Sequence, residues 1–428
     1  MRTTMEEATR PCPECGVEIR VDGRFTTWCA ACDWNVDPER PDRAEPGRLD
    51  SLRQALAHRH GEKLLAEVSA GETPRPRRDA AGVLAHVLAL AVHGVTVALL
   101  VGGLWLVVTG WGGAAVVLGL FLLLLSWTLR PRFPELPDDE PVLRRADAPE
   151  LFALIDEVAA VAGTRSVDAV TVSAAFNASV TTYGVRSRRV LTLGLPFWET
   201  LTPQQRIALL GHELGHYSNG DTRHGLVIGT AFHSLTTWRY YVAPIPDPNV
   251  VEMLVNLFYV VPRTLVQGLL ILLDRLTLRA TQRAEYLADA MSARAGSTEA
   301  AVGVMDRILV AHSAENMLQR EASSRQVRTR GARSPEQPWH GLWERLAAHM
   351  ATIPEGEYER QRRVGALRGH SVDSTHPPTH LRRACLLVGE PLAAAVVADA
   401  GRESLITAEL AEARNVLAQR VVRHGLGH

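Results

Sequence analysis

Lysine is almost missing from this 428-residue chain: Lys63 is the only one, and arginine carries the rest of the positive charge. Acidic and basic residues nearly cancel, leaving a formal charge of −1, so nothing favours a polyanion and no nucleic-acid partner is expected. Cysteine is scarce as well. Four of the five lie in two C-x-x-C pairs and Cys385 stands alone, reading as a small apolar residue on a helix. Residues 1–79 contain no apolar core of a signal peptide, so both termini are expected on a reducing, cytoplasmic face.

The most telling absence is local. Between Ala80 and Leu129 only His86 and His93 can titrate. The run Thr109-Gly110-Trp111-Gly112-Gly113 divides this stretch into spans near 82–108 and 112–129, each long enough to cross a bilayer. Arg75, Arg77 and Arg78 precede the hairpin and Arg130 and Arg132 follow it, which places both ends on the cytoplasmic side and the uncharged turn outside. Trp105, Trp111 and Trp127 suit interfacial positions. His86 and His93 share one helix face and read as packing residues rather than ligands. A second apolar hairpin is expected at 225–273, from Gly225 to Val242 and Val250 to Leu273. Its second arm carries Glu252, Asn256, Arg263 and Gln267, which leaves two options, membrane helices or buried amphipathic ones. Embedding is favoured because such groups are tolerated where a helix lines a protein cavity.

What the chain does have begins with the paired cysteines. Cys12-Pro13-Glu14-Cys15 and Cys29-Ala30-Ala31-Cys32 are separated by thirteen residues, in which Val17 to Val21 and Phe25 to Trp28 alternate like hairpin strands. Two C-x-x-C turns present four thiolates for a tetrahedral site. The pattern resembles a zinc ribbon holding a structural zinc; the competing readings are a rubredoxin-like iron knuckle and a disulfide pair. Residues 41–79 form a Pro- and Arg-rich linker, with an amphipathic helix expected from Leu49 to Val68.

The centre of interest is His212-Glu213-Leu214-Gly215-His216. Apolar spacing makes this segment helical, so the two histidines at i and i+4 share a face one turn apart, with Glu213 beside them as a candidate general base. Thr202 and Pro203 supply an N-cap and a first-turn proline. Upstream, Pro149 to Ala162 reads as a helix, and Ala169 to Val172 and Arg189 to Gly194 read as strands. Val190, Leu191, Thr192 and Leu193 are expected to form a free sheet edge that pairs with an extended substrate. Two histidines need a third protein ligand to hold a catalytic zinc. Asp221, Asp274, Glu285, Asp289 and several histidines are candidates. Glu285 and Asp289, at i and i+4, allow one carboxylate to ligate while the other orients a histidine. Residues 320–340 read as a mobile loop, and Ser374-Thr375-His376-Pro377-Pro378 precedes a further helix.

In this order, H-E-x-x-H, an apolar hairpin, E-x-x-x-D on a helix, and H-P-P with Arg382 soon after resemble the membrane zinc metallopeptidase family of the heat-shock protease HtpX and the CAAX prenyl proteases. The likeness covers about residues 80–385. It implies His212, His216 and Glu285 as zinc ligands, Glu213 as catalytic base, and Asp289 as the carboxylate orienting a ligand histidine. Asp221 is expected in that supporting layer too. His376 would donate to the forming oxyanion, and Arg382 would anchor either the substrate backbone or the acidic buttress. Asn177-Ala178 matches the family's stretch before its edge strand and makes Asn177 a substrate-contact candidate, although Ser179-Val180 departs from the usual pattern. The chemistry implied is peptide hydrolysis without a covalent intermediate. Zinc would bring the pKa of a bound water to about 7, and Glu213 would take its proton and pass it to the leaving amine.

The expected architecture is mainly α with a small β-sheet: a zinc ribbon (1–40), the linker (41–79), a transmembrane hairpin (80–130), a zincin-type metallopeptidase domain (131–385) and a helical extension (386–428). The expected function is that of a membrane zinc endopeptidase acting on proteins or peptides at the cytoplasmic face, with the lipid bilayer as its other partner. Two readings compete with it: a processing protease with one dedicated substrate, and a catalytically silent scaffold that binds partners through the ribbon.

Overall fold

The computed structural model describes residues 8–39, parts of 55–70, and 80–426 except 111–112, 133, 185, 219–220, 329–338 and 369–376. Most of the linker helix expected at 49–68 therefore lies outside the described residues, as do Arg75, Arg77, Arg78 and Trp111. The N-terminal module pairs β1 (Ala8–Pro11) with β2 (Glu18–Val21) in antiparallel register. The expected second strand at Phe25 to Trp28 does not form; the segment before the first cysteine pair takes its place. Cys12 and Cys29 are buried with Ile19 in a small separate core.

Helices α1 (Ala80–Thr109) and α2 (Ala114–Leu129) form the first apolar hairpin. The Ser126 hydroxyl donates to the Thr96 carbonyl at 3.0 Å, tying the two helices together where little else polar is available. Their outward side is bare: Val83, Val87, Leu104, Trp105 and Val108 are all more than half exposed. Among the described residues, α1 is the one single helix long and apolar enough to cross a membrane.

A short strand β3 (Val142–Leu143) and helix α3 (Pro149–Ala162) open the peptidase region, followed by β4 (Ala169–Ser173), β5 (Ala178–Tyr183) and β6 (Arg188–Gly194). The sheet order is β3-β4-β6-β5, with β6 parallel to β4 and antiparallel to β5. This corrects the expected edge. Val190, Leu191, Thr192 and Leu193 occupy a central strand with both backbone edges paired; Val190, Leu191 and Leu193 are buried and apolar because the strand is covered. Among the described residues, β5 has no partner on its outer edge, and its Ser179, Thr181 and Thr182 suit that half-solvated position.

Helices α4 (Leu195–Thr200) and α5 (Pro203–Ser218) follow directly. The Thr202 hydroxyl accepts from the Gln205 amide, and the Gln205 side chain accepts from the Thr202 amide, a reciprocal cap that fixes where α5 starts. Next come α6 (Asp221–Tyr241), α7 (Val250–Phe258) and the 37-residue α8 (Val260–Gly296). Together α7 and the first part of α8 pass the test for a membrane span, bent by 44° at their junction, whereas α6 is not among the helices that pass. Ala85, Ala89 and Val92 of α1 pack with Ala231, Leu235 and Trp238 of α6 and with Val266 and Leu273 of α8 in a core of their own. His93 sits in that contact, its ring nitrogen 3.2 Å from the Val227 carbonyl, the packing role its position suggests.

The rest is helical: α9 (Thr298–Leu309), α10 (Ala311–Arg328), α11 (Leu342–Ala351), α12 (Glu355–Arg368), α13 (Thr379–Leu386), α14 (Ala400–Glu409) and α15 (Ala411–His424). The loop expected at 320–340 is helical as far as Arg328; Leu318 and Ala322 are buried, which gives α10 a packed face that the Arg-rich composition conceals. The main core runs from Leu151, Phe152 and Ile155 of α3, under Leu191 and Leu193, to Ile207, Leu210 and Leu214 of α5. It holds α5 as the central rod on which the site is built.

Candidate metal centre and cleft

Helix α5 turns one face to the sheet core and the other to α8. Along that second face stand His212 and His216, their Nε2 atoms 3.3 Å apart. From α8, Glu285 places Oε2 at 3.5 Å from His212 and Oε1 at 3.6 Å from His216. A zinc ion with bonds of about 2.0–2.1 Å to tetrahedral ligands needs those ligands about 3.3–3.5 Å apart, so the three residues already have the separation of a zinc ligand set. The ribbon passes the same test. Its Sγ atoms lie 3.7 Å (Cys12 to Cys32) and 3.6 Å (Cys15 to Cys29) apart, against about 3.8 Å for four thiolates around zinc. Both clusters, Cys12–Cys15–Cys29–Cys32 and His212–His216–Glu285, bring one donor atom per residue within 4.8 Å of one another.

A buried layer holds the ligands in place. The Oδ1 of Asp289, one turn beyond Glu285, lies 3.0 Å from His212 Nδ1 and so directs the other ring nitrogen toward His216 and Glu285. Arg382 from α13 grips Asp289 with two hydrogen bonds of 2.8 and 2.7 Å, and its remaining amino group lies 3.3 Å from Glu285. Asp289 and Arg382 are 2 and 3% exposed, so each charge needs the other. Of the two roles expected for Arg382, these contacts are those of the acidic buttress, and its side chain also lines the cleft described next. Burial alone would lower the His212 pKa, but the Asp289 and Glu285 carboxylates outweigh it and hold the pKa up to about 10. For Asp289 burial acts upward, and Arg382 overrides it to leave the carboxyl at about 2.

Glu213 lines a cleft of about 420 Å³ together with His212 and Arg382. One wall is Ala174 to Ala178, the approach to β5, which includes Asn177. A close approach of backbones sets that wall: Gly194 N donates to the Asn177 carbonyl at 2.8 Å, and a Cβ on Gly194 would stand 2.0 Å from that same oxygen. The opposite wall is Val304, Met305 and Ile308 of α9 with Ala311 and Glu315 of α10. These wall residues, and the Phe176 and Phe197 rings 4.9 Å apart beneath them, carry no motif; the faces they occupy become a cleft only through tertiary packing. His376 lies outside the described residues, as does the side chain of Asp221.

Among known proteins, a family model described as Peptidase family M48 matches residues 145–387. No curated protein and no solved structure matches the chain.

Proposed function

The chain belongs to peptidase family M48, a family of zinc metallopeptidases, and from that premise we propose an integral membrane endopeptidase that cleaves extended segments of unfolded or membrane proteins at the cytoplasmic face. The observation that carries the catalytic part is the juxtaposition just described: three zinc-spaced ligands braced by Asp289 and Arg382, with Glu213 lining a cleft beside the outer edge of β5, which has no strand partner among the described residues.

When bound at His212, His216 and Glu285, zinc supplies a Lewis acid that activates water at neutral pH. Glu213 stands on the cleft side of the ligands, where its carboxylate accepts the water's proton and returns it to the leaving amine. The outer edge of β5 holds the substrate extended through backbone pairing, which favours unfolded polypeptide over any one sequence. His376 is the proposed oxyanion donor. The ribbon binds a second, structural zinc.

The membrane part is supported by α1 and by the exposed apolar faces of α1, α2 and α7, where Val250 and Phe258 are each 77% exposed. Arg130 stacks on Trp127 with 3.8 Å between guanidinium and ring, an arrangement suited to an interface, and with Arg132 it argues that this end is cytoplasmic. The test is to replace Glu213 by Gln in the full chain and follow digestion of unfolded casein and the enzyme's self-cleavage. Wild type is expected to degrade both and the variant neither; equal behaviour would remove the protease reading.

A further inference from the structure

The cleft does not end beside Glu213. A second cavity of about 520 Å³ adjoins it, and Ile308, Ala311 and Glu315 line both. Its far wall is the ribbon, through Thr26 and the run from Asp37 to Glu39, with α12 as the floor. The attachment is firm. Buried Arg360 donates to the Val36 carbonyl at 2.9 Å, Arg368 forks onto Asp37 at 2.9 and 2.6 Å, and Arg363 reaches the Ala30 carbonyl and Asp33.

Charge around this second cavity is uneven. Arg360 is matched by Glu357, and Arg368 by Asp37 and Glu39. Desolvation lowers the pKa of His312 on the same wall, against the pull of Glu357, Glu39 and Glu315. Glu315 is different: exposed in the first turns of α10, where the cavities meet, it makes no hydrogen bond or salt bridge among the described residues, and its charge acts on His312 only at a distance. Ile308, Leu309 and Val364 add apolar surface nearby. A long basic side chain fits both demands, its stem on the apolar wall and its head on the carboxylate.

We propose that the ribbon walls a distal substrate subsite, and that Glu315 makes this subsite select Arg or Lys at a fixed position away from the scissile bond. The inference rests on the peptidase reading and gives the ribbon a part in substrate choice.

The experiment digests unfolded casein with the full-length, zinc-loaded enzyme and maps every cleavage site by mass spectrometry. Wild type is expected to show basic residues enriched at one position to one side of the cut. Glu315→Gln should lose the enrichment, and Glu315→Lys should replace it with Asp and Glu. Two peptides differing only by Arg or Glu at that position should differ in KM by about tenfold with wild type, as expected for a hydrogen-bonded charge, and kcat should move little. Replacing Cys12 and Cys15 by Ser should abolish the preference while cleavage that needs Glu213 continues. Identical cleavage maps for wild type, Glu315→Gln and Glu315→Lys would overturn the subsite and leave the peptidase standing. Absence of any Glu213-dependent cleavage by wild type would overturn both.

Discussion

At the scale of residues, the site is a set of charges placed where each answers another. Removing the carboxylate charge behind His212 should therefore weaken the metal without touching its ligands. Asp289→Asn is expected to lower zinc affinity by about 10–100-fold, read by competition with a chromogenic chelator, while the helical circular dichroism stays unchanged. Arg382→Gln should cost more, because it strands Asp289 as an uncompensated charge at 2% exposure. Cys385 offers a contrasting case. Burial, with the Asp289 charge nearby, pushes its thiol up to about 12, so at pH 8 it should react with a maleimide far more slowly than a free thiol of ordinary pKa. Part of this is legible in the sequence: His212, Glu213 and His216 declare themselves by spacing, whereas spacing leaves Glu285 and Asp289 among several candidates and only the family resemblance singles them out. The direction of Arg382 is not. Whether the guanidinium meets the carboxylates of α8 depends on how α13 docks against that helix, and no local pattern records that.

At the scale of elements, the site depends on how closely α5 and α8 approach. Small residues make that possible: a Cβ on Gly296 would stand 2.6 Å from the Ala208 amide nitrogen, and the Ser292 hydroxyl donates to the Ala208 carbonyl at 2.8 Å. Gly296→Ala is expected to destabilise the fold by about 1–3 kcal/mol, measured as a lower midpoint of thermal unfolding, because backbone atoms on the facing helix must shift. Helices and buried strands announce themselves by apolar period, which is why α3, α5, β4 and β6 are close to the ranges read from the chain. Sheet order is a different matter. β6 looked like an edge because its pairing partners are set by long-range contacts, whereas β5 alternates Ser, Thr and Val too weakly to stand out. In α10, the arginine-rich surface masked the buried positions that make it a helix.

At the scale of the whole molecule, three parts meet: a ribbon fastened to α12, a helical peptidase body, and an apolar hairpin whose outer face has nothing packed on it among the described residues. Two zincs per chain are expected by metal analysis. Replacing Cys12 and Cys15 by Ser should remove one, and replacing His212 and His216 by Ala should remove the other. One zinc that survives the cysteine changes unaltered would take the metal out of the ribbon. If the hairpin is embedded, alkaline carbonate should leave the full chain in the membrane pellet, and detergent should be needed to release it.

The most direct test of the central claim is the rate at which zinc-loaded Glu213→Gln cleaves unfolded casein, compared with wild type of equal zinc content. Loss of the base should lower kcat by about 100- to 10,000-fold while both zincs are retained. Undiminished cleavage by the metal-loaded variant would contradict the role given to Glu213 and to the cleft it faces.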